Sequence, residues 1–198
     1  MGFTRAELES FRDTVVPDLI GDGCRLLFVG INPGLWTAAT GAHFARPGNR
    51  FYPALLRAGI LTRAVDPTSG LSGADTAHLL ERGIGITNLA PRATARADEL
   101  TIDELRAGPE RLAEVVTRWQ PRVVAVAGIT AYRAAFGRRK AVSGAQEETI
   151  VGVPLWVVPN PSGLNAHDTV DSLAEAYAAP ARAAGILAQR SGAPGHLR

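Results

Sequence analysis

Two asparagines end apolar runs and stand directly before prolines: Asn32 in "LLFVGINPGLW" (26–36) and Asn160 in "LWVVPNPSGLN" (155–165). Proline pushes the residue before it toward extended geometry. The Asn32 amide therefore projects from its strand end rather than curling into a helix. An amide is a poor base near neutral pH, but its oxygen and nitrogen can hold a water molecule. That suffices where the electrophile is already cation-like. Cleavage at a sugar anomeric carbon, with its oxocarbenium-like transition state, is such a case. Gly34 lets a ligand approach the backbone closely. In the second loop, Ser162 and the amides around Gly163 suit a phosphate, and Leu164 at the tip suits a wedge in a base stack. Ordinary turn punctuation accounts for Asn-Pro and Pro-Gly as well, and Leu164 also reads as a cap on the final helix.

The elements that must position these loops follow from periodicity. Runs at 25–30 and 83–89 ("GIGITNL") read as strands, and "RVVAVAG" (122–128) is a continuous apolar run, the pattern of a strand covered on both faces. "ETIVGVPLWVVPN" predicts a short strand, a turn at Gly152 and a last core strand reaching Asn160. Helices are predicted over 4–16, 49–58, 74–82, 101–119, 130–137 and 169–189, with interruptions at Gly108-Pro109 and Pro180. Capping boxes open two of them, Thr4 with Glu7 and Thr101 with Glu104. Residues 31–48 and 90–100 read as loops, the first long enough to be functional. Strands alternating with helices predict an α/β fold with a mostly parallel sheet, whose ligands bind at the carboxyl ends of the strands.

Composition bounds the rest. A chain of 198 residues, 46% hydrophobic, fits one globular domain over 1–198. No apolar run approaches the roughly 20 residues of a membrane span, and the first residues lack a signal-like core, so a cytoplasmic protein is expected. A single cysteine, Cys24, and unpaired spacing of His43, His78, His167 and His196 predict neither a disulfide framework nor a metal site. The net charge is +2, and Lys140 is the sole lysine among 21 basic residues. Arginine forks suit nucleic-acid phosphates, although an arginine-favouring codon usage explains the bias equally well. No GxGxxG, Walker loop or GxSxG elbow is present, which disfavours a nucleotide-binding or hydrolase α/β protein of another kind.

Taken together and in order, "GINPGLWTAATGAHFARPGNRFY" (30–52), "GITNLAPRATARADEL" (85–100) and "NPSGLN" (160–165) resemble the mismatch-specific uracil-DNA glycosylases, the family that includes thymine-DNA glycosylase. The resemblance spans about Cys24 to Tyr177, leaving an N-terminal extension (1–23) and a tail (178–198) outside it. It implies a three-layer α/β/α fold with a central sheet of four to five strands. It also implies monofunctional hydrolysis of the N-glycosidic bond of uracil opposite guanine, with thymine or damaged pyrimidines as further substrates. The base would be flipped out of duplex DNA, leaving an abasic site. The expected protein is a monomer that needs no cofactor or metal. A non-catalytic damage reader with the same pocket is the rival reading.

Position by position, the resemblance makes Asn32 the residue that orients the attacking water. It places Ile31 and Gly34 in the pocket wall, Thr37 near the base, Phe44 stacked on the flipped ring, and Asn88 in hydrogen-bonding reach of the pyrimidine. Ser162, Gly163, Leu164 and Asn165 would meet the DNA, and Asn49 and Arg50 mainly start a helix. Without the resemblance, Phe44 reads as a core residue. Three departures stand out. Asn165-Ala166-His167 replaces an arginine that some relatives carry after the wedge, so His167 or backbone atoms would read the opposite guanine. Trp36 is bulky where bacterial relatives can have serine. Asp98 stands where better-known branches are neutral or basic; as a general base it would do what an amide cannot, and otherwise it is an exposed acid ahead of a helix.

Overall fold

The chain alternates largely buried strands with helices that are apolar on one side, and it folds accordingly. The computed structural model describes residues 2–163 and 168–189. Their elements are α1 (Arg5–Glu9), β1 (Leu26–Gly30), α2 (Leu35–Thr40), α3 (Phe51–Arg57), α4 (Gly73–Glu81), β2 (Ile84–Asn88), α5 (Ile102–Trp119), β3 (Val123–Ala127), α6 (Ile129–Phe136), β4 (Gly144–Ile150), β5 (Val153–Val158) and α7 (Val170–Ala183). The sheet order is β2-β1-β3-β5-β4. Four strands are parallel, and β4 pairs antiparallel with β5 at one edge. Val151 (φ 51°) and Gly152 (φ 79°) join that pair in a two-residue turn with both residues left-handed.

Strand side chains alternate between two cores, as the period of two requires. Leu26, Phe28, Val123 and Ala125 join the core under α3 and α7, while Leu27, Val29, Val124 and Val126 join the core under α5 and α6. Every residue of β1, β2 and β3 is buried, which explains the unbroken apolar runs of β1 and β3, while β2 also buries Thr87 and Asn88. The result is the expected α/β architecture with five strands.

Four expectations change. The first helix ends at Glu9 rather than at 16. Past it, the Asp13 N–H donates to the Ala93 carbonyl and the Ala93 N–H to the Thr14 carbonyl, pairing that needs an extended chain. The predicted loop at 31–48 contains α2. Helix α5 runs unbroken through Gly108 and Pro109, and α7 runs through Pro180. Proline removes one helical donor, but burial of Gly108, Leu112 and Val116 on one face of α5, and of Tyr177, Pro180 and Ala181 on α7, holds both helices. A β-carbon at Gly108 would lie 3.0 Å from that of Leu89, so glycine lets α5 lie flat on the end of β2.

Both capping boxes form as expected, and the one at Thr101 doubles as an anchor. Its Glu104 also receives the Arg92 guanidinium (2.6 Å), which reaches Asp13 on its other side (2.6 Å). Arg92, then the Thr101 amide, hold the Glu104 carboxyl down at about 2. A depressed carboxylate stabilises the fold above its unfolded value and ceases to as pH falls through its folded one. Acid titration of the wild type is therefore expected to lose stability between about pH 4.5 and pH 2, and Glu104→Gln should flatten that part of the curve. Phe28 is fully buried, 5.1 Å from the Phe51 ring and 5.4 Å from the Tyr177 ring. Phe28→Ala should cost about 3–5 kcal/mol, read as a lower urea midpoint at unchanged slope.

Candidate active site

The four parallel strands end at one edge of the sheet, and a cavity of about 730 Å³ opens there. Gly30 and Asn88 are register partners across β1 and β2. The pairing continues past both strands: the Leu89 N–H donates to the Gly30 carbonyl, Ala90 to Ile31 and Thr94 to Pro33. Loop 89–94 thus lies alongside loop 30–34.

That alignment grips Asn32. Its Nδ2 lies 2.9 Å from the Arg92 carbonyl, 2.7 Å from Thr94 Oγ1 and 3.1 Å from the Pro33 carbonyl. Carbonyl oxygens only accept, so the amide nitrogen must face them. Thr94 gives its own proton to the Arg96 carbonyl (2.7 Å), so it too accepts from Asn32. The donors are spent inside the protein, and Oδ1 is the group Asn32 offers to the cavity it lines. Such an oxygen accepts a hydrogen bond from water and orients it; it cannot take the proton.

Asn88 is 5% exposed and borders the same cavity. A β-carbon on Gly30 would lie 2.5 Å from Asn88 Oδ1, so only glycine leaves room for this amide. Its Nδ2 lies 3.4 Å from His43 Nδ1, and His43 Nε2 lies 3.0 Å from the Pro17 carbonyl. Burial pushes the His43 pKa below its ordinary value. Beneath, Arg111 donates to the Asn88 carbonyl (2.8 Å) and Thr87 Oγ1 (3.0 Å) and pairs with Asp18 (3.1 Å).

Phe44 lines the cavity with one ring face stacked on Phe51 (4.1 Å, 25°). Its φ of 57° is a strained conformation for a bulky residue. Neighbouring contacts hold it, among them Tyr52 OH donating to the His43 carbonyl (3.0 Å). Ile31, Gly34 and buried Thr37 share the wall. In the second loop, the Ser162 N–H donates to Asn160 Oδ1 (3.0 Å), the Arg50 N–H to the Pro161 carbonyl (3.0 Å) and Arg50 Nη2 to the Ser162 carbonyl (3.2 Å). A β-carbon on Gly163 would meet the Gly48 carbonyl at 2.7 Å. Asn49 Oδ1 accepts from the Phe51 N–H (2.9 Å), the helix-start contact expected of it. Asn160 and Ser162 face the cavity; Leu164, Asn165 and His167 lie outside the described residues.

Asp98 is exposed at the cavity rim and held at two points by Arg96 (3.1 and 2.5 Å). The N-terminal segment supplies a wall that no motif announced. Arg5, Leu8 and Glu9 border the cavity, the Phe3 ring meets Trp36 edge-on (5.2 Å), and Arg12 ties Glu9 to Glu99. Among the described residues, no cluster of histidine, cysteine and acidic side chains could hold a metal. Gly30→Ala should displace the Asn88 side chain while leaving the fold intact. The expected result is an unchanged far-ultraviolet spectrum with altered chemical shifts confined to the Asn88 and His43 side chains.

The fold has a counterpart among solved structures. An NMR structure of a candidate uracil DNA glycosylase from Methanosarcina acetivorans superposes with a TM-score of 0.56 at 15% identity, covering 87% of this chain and 96% of that one, a likeness of fold. A model of the uracil DNA glycosylase superfamily matches residues 17–180, so the match begins before the predicted boundary at 24 and includes the Pro17 and Asp18 that support the site. The chain belongs to the uracil DNA glycosylase superfamily.

Proposed function

We propose that the protein is a monofunctional DNA glycosylase that releases uracil mispaired with guanine in duplex DNA. The observation that carries this reading is the grip on Asn32, which spends the amide's donors on protein acceptors and leaves Oδ1 to a water. Family membership supports the reaction class. The mismatch preference rests on the motif likeness at 30–52 and 85–100.

The flipped base would lie against Phe44, with its pyrimidine edge toward Asn88 and its phosphate near Ser162 and Gly163. Extruding a mispaired base costs less than extruding a paired one, so the duplex itself contributes selectivity. As the bond from C1′ to the base nitrogen breaks, its electron pair leaves with the base and positive charge develops on the sugar. The water on Asn32 adds its oxygen to C1′ and loses a proton. Asp98, on the same rim, takes that proton once the sugar is in place; the base departs as its N1 anion and is protonated by solvent, so the products are free base and a 1′-hydroxyl abasic site.

Asn32→Ala should slow uracil release on the order of 10²-fold while duplex binding persists, because the water loses its placement. Undiminished release would overturn the role given to Asn32. Asp98→Asn should slow release about tenfold; an unchanged rate would hand the proton to solvent. Strand-nicking assays on duplexes carrying uracil, thymine or a damaged pyrimidine opposite guanine, and on single strands, read both. Tight binding without release from any of them would identify a damage reader instead.

A further inference from the structure

We infer that His43 is a positioning residue: it fixes which way round the Asn88 amide meets the base, and thereby which pyrimidine edge the pocket accepts. The inference rests on the reading of Asn88 as the residue facing the pyrimidine.

The logic is one of donors and acceptors. The Pro17 carbonyl can only accept, so His43 Nε2 carries a hydrogen. A neutral ring then has a bare lone pair on Nδ1. Asn88 Nδ2 faces that lone pair at 3.4 Å, and Oδ1 turns toward Gly30. At this length the contact acts mainly by forbidding the reverse orientation, which would set Oδ1 against Nδ1, acceptor against acceptor, in a buried site. The amide's second N–H and Oδ1 remain as a paired donor and acceptor. Uracil offers a matching N3–H donor beside its O4 acceptor. Cytosine offers the opposite sense at the same two positions, an acceptor at N3 and a donor at C4, and would need the amide turned around.

The surroundings keep this arrangement switchable. His43 is 2% exposed. Asp18, from the segment before β1, favours its protonation, while Arg111, from α5, opposes it; these two are paired with each other. Tyr52, from α3, touches only its backbone carbonyl. Protonation would put a hydrogen on Nδ1, turn Asn88 Oδ1 toward the ring, and reverse the sense of the edge shown to the base. Glutamine at this position could donate to Pro17 and accept from Asn88 without titrating.

The test compares release of uracil and of cytosine opposite guanine by the wild type, His43→Ala and His43→Gln, each with Asn88 intact and as Asn88→Ala. Expected are a roughly tenfold loss of uracil release in His43→Ala, with a smaller preference for uracil over cytosine. His43→Gln should recover to within about threefold, and the His43 substitutions should have no effect in the Asn88→Ala background. The wild-type rate divided by the His43→Gln rate should fall on acidification, at pH values below the ordinary imidazole range, because burial lowers the His43 pKa. A fully active His43→Ala, a loss that persists without Asn88, or a ratio flat with pH would overturn the inference. Nitrogen-15 spectra of the ring test it apart from catalysis: hydrogen on Nε2 at neutral pH is expected, and hydrogen on Nδ1 overturns it. If no duplex is cleaved, the glycosylase reading fails. The positioning role is then read from free uracil and cytosine titrated against the Asn88 side-chain amide, where a uracil preference lost in His43→Ala supports it and equal binding overturns it.

Discussion

The pairing of β1 with β2 does not stop at the strand ends, and the site depends on that continuation. Gly30 opposite Asn88 sets the register, and three further backbone hydrogen bonds carry it to Pro33 and Thr94. A slip of one residue would move Asn88 to the other face of the sheet. It would also take the Arg92 carbonyl and the Thr94 hydroxyl away from Asn32. Leu26, Phe28, Ile84 and Ile86 share one buried core, so a one-residue slip would also break up that shared face.

Around that register the polar groups are tied to one another, apart from the second N–H and Oδ1 of the Asn88 amide, which are left for a ligand. Arg111, Asp18 and Thr87 satisfy one another and the Asn88 backbone; His43 is tied to Pro17 and Asn88. A buried polar network is stabilising only when its members are satisfied, and these ties supply the partners. Phe44 is the exception in conformation rather than bonding. Its positive φ is held by the stacked Phe51 and by the Tyr52 contact to the residue before it. Strain of this kind persists where surrounding structure over-determines it, and it presents the ring already oriented.

Much of the architecture was legible because burial on both faces writes itself into sequence as unbroken apolar runs, as at 26–30 and 123–127. Asn32, Phe44 and Asn88 were legible through motif likeness, and they do converge on one cavity. Pro109 and Pro180 misled because local propensity lost to packing, of Gly108 beside the first and of Pro180 itself at the second. The grip of Thr94 and Arg92 on Asn32, the His43 contact with Pro17, and the wall from Arg5 to Glu9 carried no local signal. Their partners lie tens of positions apart, and side-chain pairing across such separations leaves no periodicity to read. Arg92 illustrates this: beside Asp13 and Glu104 it is a tie-rod, but in sequence it is one arginine among many.

The closeness of Gly163 to the Gly48 carbonyl has a mechanical consequence. With Arg50 bonded to Pro161 and Ser162 as well, the loop after β5 and the loop leading into α3 form one stiff bracket rather than two hinged flaps. Widening the approach at Gly163, where a β-carbon would sit 2.7 Å from the Gly48 carbonyl, would therefore push on the chain entering α3 as well as on its own loop.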